Sequence, residues 1–199
     1  MIVIGLTGGS GTGKSTVMAV WAGLGAYCID ADEVYHRLLR TDAALVEAIR
    51  CAFPAAFFDG RLDRKALGRL VFADAARRRA LEALTHGAVI REIEDLLAAV
   101  RRGGYRAAAV DAVALLDGSL AARCAAVVCV LAPFEARLAR IVARDGVDAS
   151  YARARVAAGR RDEDYRARCD FVLENNADPD ALVRAAETLY HQILENYSN

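Results

Sequence analysis

The 199-residue sequence has no excess of charge of either sign, because 26 Lys and Arg residues balance 26 Asp and Glu residues. It therefore lacks the basic field that dominates non-specific binding to nucleic acid, and we expect no nucleic-acid partner. No apolar run approaches the length of a membrane span, and the apolar beginning is too short for a signal peptide and has no basic leader. We expect a soluble, cytoplasmic protein with no membrane partner.

The sequence also lacks C-x-x-C pairs and is poor in proline, with three residues. The odd number of scattered cysteines favours buried free thiols over a disulfide framework or a zinc site. The cysteines are Cys28, Cys51, Cys124, Cys129 and Cys169. Apolar residues, by contrast, make up 55% of the chain, which excludes a disordered protein and predicts one domain over residues 1–199.

The stretch GGSGTGKST, which we call the phosphate loop (Gly8 to Thr16), matches the pattern G-x-x-x-x-G-K-[ST]. An apolar, β-branched run precedes it and predicts a buried strand. Its glycines let several N–H groups converge on one anion, and a helix beginning at Lys14 points its N-terminus at the same place. The pattern predicts a nucleoside triphosphate site in which Lys14 reaches the β- and γ-phosphates and the Ser15 hydroxyl binds Mg²⁺.

Further apolar runs predict four more buried strands, separated by segments with helical spacing. The five predicted strands are 2–6, 27–29, 107–110, 126–131 and 171–173. Strands that alternate with helices predict an α/β fold with a parallel sheet, helices on both faces and ligands beyond the carboxyl ends of the strands. With the phosphate loop at that edge of the sheet, we expect the core of a P-loop kinase.

The predicted domain contains two insertions around a nucleotide-binding core. The core comprises residues 1–30, 106–133 and 169–199. The interval 31–105 is too long for one crossover, which predicts a mostly helical insertion that binds the acceptor. The interval 134–168, which we call the lid region, is rich in arginine and predicts a cationic helical lid.

Three carboxylates follow predicted strands. Asp30 and Asp32 are two residues apart, so in an extended chain both face the crevice beside the phosphate loop. A carboxylate there can accept a proton from an acceptor hydroxyl or hold Mg²⁺ through water, although one of the two can equally cap the helix that begins near Glu33. Asp111 ends the next strand, where it either holds Mg²⁺ through water or has a structural role.

The lid region places Arg137, Arg140 and Arg144 on one flank of a predicted helix, beside an apolar stripe. The stripe consists of Phe134, Leu138, Ile141 and Val142. Such a flank can close over a triphosphate and stabilise the charge of the transferring group. The alternative is an ordinary solvated basic face. Trp21 is predicted to lie in the core, and His86 alone indicates no function.

Taken together, these motifs resemble one family, dephospho-coenzyme A (dephospho-CoA) kinase, in order and spacing over nearly the whole chain. The segments that carry the resemblance are IGLTGGSGTGKSTV, LGAYCIDADEVYH, GRLDRKALGRLVF, LEALTHGAVI, RLARIVARDGV and CDFVLENN. The resemblance implies transfer of the ATP γ-phosphoryl group to the ribose 3′-hydroxyl of dephospho-CoA, which gives CoA.

The resemblance also implies roles for individual residues. ATP is expected on Gly11, Thr12, Gly13, Lys14, Ser15 and Thr16, with Asn175 on the adenine side. Asp32 is the expected general base, and Lys14 and Arg140 are the expected catalytic cations. Asp32, Asp63, Arg64 and His86 are expected to bind the acceptor.

This chain departs from the family's usual residues at several positions. Gly87 replaces a proline, Ala114 begins a segment that is usually Pro-Leu-Leu, Asp117 replaces a glutamate, Arg137 and Gly159 each replace a glutamine, and Ala177 replaces a glycine. Two other functions share the phosphate loop: a P-loop kinase for another small acceptor, such as a nucleoside monophosphate, and an ATP-dependent switch protein. We expect a monomer, with a small homo-oligomer as the alternative.

Overall fold

The fold consists of two units, which the computed structural model describes over residues 1–72, 74–176 and 178–197. The first unit contains Met1–Asp30 and Ala99–Asn199, and the second contains Ala31–Ala98. The elements, in chain order, are β1 (Ile2–Thr7), α1 (Lys14–Gly23), β2 (Tyr27–Asp30), α2 (Ala31–Thr41), α3 (Ala43–Ala52), β3 (Phe57–Phe58), β4 (Arg61–Leu62), α4 (Arg64–Phe72), α5 (Ala75–Arg102), β5 (Ala107–Asp111), β6 (Ala126–Leu131), α6 (Phe134–Asp145), α7 (Ala149–Ala157), α8 (Asp162–Arg168), β7 (Phe171–Glu174) and α9 (Pro179–Tyr197).

The first unit is built on a parallel five-stranded sheet with the order β2-β5-β1-β6-β7. This confirms the predicted α/β fold and all five predicted strands. Most of these strands extend one residue further than predicted, through Thr7, Asp30, Asp111 and Glu174. The backbone ladder continues past the last apolar side chain, and the polar residues therefore lie at the carboxyl edge of the sheet.

Apolar side chains cover both faces of strand β1. On one face, Ile4 and Leu6 belong to the same buried cluster as side chains of α1 and α9. Trp21 is fully buried there, as predicted, and its indole N–H donates to the Ala186 carbonyl at 2.9 Å. On the other face, a Cβ at Gly5 would lie 2.7 Å from Leu115, so the segment after β5 packs directly on the backbone of the central strand.

The lid region forms helices α6, α7 and α8 of the first unit. Ile141, Ala152 and Val156 form a small buried cluster, and Leu138 and Val142 pack against it. The apolar stripe of α6 is therefore used to bind α7. None of the helices in the described ranges is both long and apolar enough to cross a membrane.

The second unit contains α2, α3, α4, most of α5 and a short antiparallel hairpin, β3–β4. This hairpin was not among the predicted elements. Asp59 and Gly60 connect its strands with φ angles of 49° and 74°. An Asp-Gly pair with two positive φ angles is typical of a two-residue hairpin turn, so this dipeptide was the available signal. The prediction of buried thiols holds for Cys129 and was wrong for Cys51, which is exposed on α3. The other three thiols are half-buried.

Candidate active site

The phosphate loop connects β1 to α1 at the carboxyl edge of the sheet. Gly13 caps α1 with a φ of 107°, a conformation that side-chain-bearing residues rarely adopt. The loop is held internally, because the Thr12 hydroxyl donates to the Gly9 carbonyl at 3.0 Å and the Thr16 N–H donates to Gly13 at 3.0 Å. Loop and helix N-terminus thus form the type of backbone cradle that binds phosphate.

Carboxylates and one ammonium group meet beside this cradle. Lys14 Nζ lies 3.9 Å from Asp111 Oδ1, and their side chains are only 13% and 15% exposed. Asp30 pairs with Asp111 in the register of β2 and β5, so the two carboxylates occupy neighbouring strand ends. Ser15 is exposed on the first turn of α1. Hydroxyl and carboxylate oxygens are the ligands that Mg²⁺ prefers, so these residues fit the ion.

Asn175 joins the phosphate loop to the lid region. It follows β7 and is 5% exposed. Its Nδ2 donates to the Thr12 carbonyl at 2.7 Å, and its Oδ1 accepts from Arg140 Nη2 at 3.0 Å. Arg140 Nη1 also donates to the Gly11 carbonyl at 3.2 Å. The structure therefore brings two predicted site residues, Arg140 and Asn175, onto the loop through neutral acceptors.

Arg137 is buried against the same loop, which the sequence analysis did not foresee. Its side chain is 6% exposed, and its Nε donates to the Ser10 carbonyl at 3.0 Å. A Cβ at Gly9 would clash with Arg137 Nη2, and one at Gly159 would lie 3.5 Å from the same atom. Two departures from the family resemblance, Arg137 and Gly159, are thus neighbours in space.

Most other arginines of the lid region form ion pairs with nearby carboxylates. Arg144 and Arg155 pair with Asp145 at 2.6 and 2.9 Å, and Arg160 pairs with Asp117. Of the predicted flank, Arg137 and Arg140 contact the phosphate loop and Arg144 does not. Most of the positive charge in the lid region is neutralised locally.

The extended-chain argument for Asp32 was wrong. β2 ends at Asp30, and Asp32 is the second residue of α2, in the second unit, where it is exposed. It lies close enough to Tyr35 to affect its ionisation. Burial raises the pKa of Tyr35, the guanidinium of Arg64 lowers it and the Asp32 carboxylate raises it.

Arg64 also binds a residue that the sequence analysis missed. Arg64 Nη2 lies 2.9 Å from His36 Nε2. Asp32, Tyr35 and His36 share one face of α2, because residues three and four apart are neighbours on a helix. That spacing was the signal in the sequence for Asp32 and His36, and the contact between His36 and Arg64 adds Arg64 to the group within the second unit.

Asp63 has a structural function in the second unit. It caps α4, because its carboxylate accepts from the backbone N–H of Lys65 at 2.8 Å and of Ala66 at 3.0 Å. These hydrogen bonds lower the pKa of Asp63, and the one from Ala66 has the larger effect. His86 lies exposed on α5. Binding of the acceptor by Asp63 and His86 stays a prediction.

Comparison with known proteins identifies the family. A family model described as dephospho-CoA kinase matches residues 2–180. The chain belongs to the dephospho-CoA kinase family. The dephospho-CoA kinase of Geobacter sulfurreducens is 39% identical over 193 residues, which cover 96% of this chain and 98% of the relative. That of Anaeromyxobacter dehalogenans is 41% identical over 191 residues, covering 95% and 90%.

A solved structure aligns with this chain over almost its whole length. The crystal structure of TT1252 from Thermus thermophilus aligns with a TM-score of 0.82 and 34% identity, and the alignment covers 96% of this chain and 97% of the other. The fold of this chain is therefore shared with a solved structure over almost its whole length. The resemblance expected from the motifs is confirmed.

Proposed function

We propose that this protein transfers the γ-phosphoryl group of ATP to the ribose 3′-hydroxyl of dephospho-CoA, giving ADP and CoA. Membership of the family over residues 2–180 is the observation that carries the proposal. The phosphate loop, with its capping Gly13 and adjacent Lys14, supports the donor half of the reaction.

The donor triphosphate binds to the N–H groups of the phosphate loop. The Lys14 ammonium reaches the β- and γ-phosphates, where its charge offsets the charge that the transferring group carries. Ser15, with Asp30 or Asp111 acting through water, would hold Mg²⁺ at this site. The ion supplies charge neutralisation on the phosphate oxygens when it is bound.

Arg140 supplies a second cation at the phosphates. Its present acceptors are the Gly11 carbonyl and the Asn175 amide oxygen, both neutral. A phosphate oxygen is a stronger acceptor for a guanidinium group than either of these. Arg140 is therefore available to exchange a neutral acceptor for a phosphate without breaking an ion pair to any residue in the described part of the chain.

On the acceptor side, Asp32 accepts the proton of the 3′-hydroxyl as that oxygen forms its bond to the γ-phosphorus and the bond to the ADP oxygen breaks. The exposed position of Asp32 on α2 leaves its carboxylate accessible to substrate. Arg64, which bonds to His36, contributes a positive group to the acceptor side. Asp63 and His86 complete the predicted acceptor set.

The decisive experiment mixes purified protein with Mg·ATP and dephospho-CoA and follows ADP and CoA together. We expect equal amounts of both products, and no ADP when CoA, whose 3′-hydroxyl is already phosphorylated, replaces dephospho-CoA. ATP consumption at the same rate with and without dephospho-CoA would show that the protein is not this kinase. It would favour the ATP-dependent switch instead.

The role of Asp32 has its own test. Asp32→Asn keeps the shape of the side chain and removes the base, so we expect turnover to fall by about 10²- to 10⁴-fold. Glu33→Gln is the matched control, because Glu33 is the next residue of α2 and is also exposed. Full turnover by Asp32→Asn would refute the assignment of the base and leave the function intact. Cytoplasmic localisation and a monomeric state stay predictions.

A further inference from the structure

Arg137 is buried and has no carboxylate partner among the residues that the structure describes, whereas most other arginines of the lid region pair with carboxylates. Its Nε is bonded to a neutral oxygen, the Ser10 carbonyl. Its Nη2 is buried and has no hydrogen-bond partner among the residues that the structure describes. Burying a guanidinium group in these surroundings costs free energy of folding. We therefore expect the charge to have a function that compensates for this cost.

The surroundings of Arg137 point to the phosphate loop as the place of that function. The backbone of Arg137 itself packs on the loop, because a Cβ at Gly11 would lie 2.7 Å from the Arg137 carbonyl oxygen. The side chain then runs along Ser10 to Gly9. The guanidinium thus lies against the apex of the loop that is to hold a triphosphate.

We propose that Arg137 is a positioning residue that strengthens ATP binding through its charge. Held against Ser10 and Gly9, it fixes the Ser10 peptide and adds a positive potential to the cradle before any nucleotide arrives. The attraction is stronger there than at the surface, because the guanidinium is shielded from water. This inference rests on the proposed ATP site and deepens it.

The charge can be separated from the hydrogen bond. The amide nitrogen of Gln is as many bonds from Cα as Nε of Arg, so Arg137→Gln can still donate to the Ser10 carbonyl while it removes the charge and both Nη groups. Arg137→Lys keeps the positive charge and loses the planar guanidinium group with its two Nη nitrogens. If the charge matters, Lys retains ATP affinity and Gln loses it.

The measurement is the dissociation constant of Mg·ATP by titration calorimetry, together with kcat and KM for both substrates. For Arg137→Gln we expect ATP binding to weaken about tenfold, with KM for ATP rising in step and KM for dephospho-CoA unchanged. Arg137→Lys should stay within about threefold of wild type. Arg184→Gln is the control, since it removes an exposed charge of α9 from the same unit.

Thermal unfolding without nucleotide distinguishes positioning from mere packing. Removing a buried charge that has only neutral partners should not destabilise the protein, so unliganded Arg137→Gln should unfold within about 3 °C of wild type or above it. The stabilisation given by ATP should shrink, because it follows the dissociation constant. A large loss of unliganded stability with unchanged ATP binding would overturn the proposal.

Gly159 offers an independent test by adding a carboxylate. Gly159→Asp places an acid beside Arg137 Nη2, where it neutralises the guanidinium, and Gly159→Asn is its isosteric control. We expect Asp to weaken ATP binding and Asn to leave it near wild type. In the Arg137→Gln background the Asp and Asn variants should bind ATP alike, because the charge they differ in no longer has its partner.

The outcomes also separate this inference from the proposed function. If the wild-type protein fails to phosphorylate dephospho-CoA, the function is wrong. If the wild type is active and binds ATP, but Arg137→Gln binds ATP as tightly, only the role of Arg137 is refuted. Equal weakening by Lys and Gln would show that the guanidinium fork, and not its charge, is what the loop requires, which also overturns the proposal.

Discussion

Replacing Asn175 with alanine should destabilise the protein by removing two hydrogen bonds at once. One joins Asn175 Nδ2 to the Thr12 carbonyl at 2.7 Å, and the other joins Arg140 Nη2 to Asn175 Oδ1 at 3.0 Å. A neutral buried hydrogen bond contributes about 1 kcal/mol and one to a charged group about 1.5–3 kcal/mol. Because Arg140 is only partly buried and can turn to water, we reduce the contribution of its hydrogen bond to about 1–2 kcal/mol, which gives about 2–3 kcal/mol in total.

The expected change in melting temperature follows from the size of the protein. For chains of 150–250 residues, a loss of 1 kcal/mol lowers Tm by about 2–4 °C. Asn175→Ala should therefore melt about 4–12 °C below wild type in a calorimetric scan. Asn176→Ala is the matched control, because the neighbouring asparagine is exposed, and its Tm should stay within about 1 °C of wild type.

Two results would contradict the prediction for Asn175. A Tm for Asn175→Ala within about 1 °C of wild type would show that the two hydrogen bonds do not anchor the phosphate loop. An equal loss in both asparagine variants would attribute the effect to the segment after β7 instead of to Asn175. The ATP-induced rise in Tm should also be smaller in Asn175→Ala, since the loop has lost its link to β7.

Two further predictions concern Lys14 and Asp63. Lys14→Ala should lower kcat/KM more than Asp32→Asn does, because it removes a charge that balances the phosphates in both ground and transition states; steady-state kinetics with varied ATP checks this, and normal turnover would contradict it. Asp63→Ala should lower Tm at neutral pH by removing the cap of α4. Since the pKa of Asp63 is depressed below its ordinary value of 3.8 in the folded protein, this stabilisation is present above 3.8 and is lost as pH falls through the folded pKa. Melting curves from pH 7 down to pH 3 should show the two proteins converging at the acid end, and a constant difference would refute the linkage.

The sequence was sufficient where the determining pattern is local. The phosphate loop is a contiguous motif, and buried parallel strands are continuous apolar runs, so β1, the loop and α1 could be predicted together. Asp111 could be placed at the site because it directly follows an apolar run that ends at the sheet edge. In each case a few neighbouring residues contain the whole signal.

Other parts of the site depend on residues far apart in the chain. The hydrogen bond from Asn175 to Thr12 spans 163 positions, and that from Arg137 to Ser10 spans 127, so no local pattern could show either. The position of Asp32, in contrast, was predicted wrongly because a local rule was applied beyond the end of the strand. The strand ends one residue before the helix begins, and a rule based on alternation fails as soon as the backbone changes conformation.

The position of β1 in the centre of the sheet has a consequence for biosynthesis. Its partners, β5 and β6, begin at Ala107 and Ala126, so more than half of the chain must leave the ribosome before β1 can pair on either side. Contacts this distant in sequence make folding slow and leave the apolar strand exposed meanwhile. Asn175, which follows β7 and binds the phosphate loop, is synthesised later still. The nascent chain therefore exposes the apolar strand β1 until β5 has been made, and the phosphate loop gains its link to the segment after β7 only once Asn175 has been added.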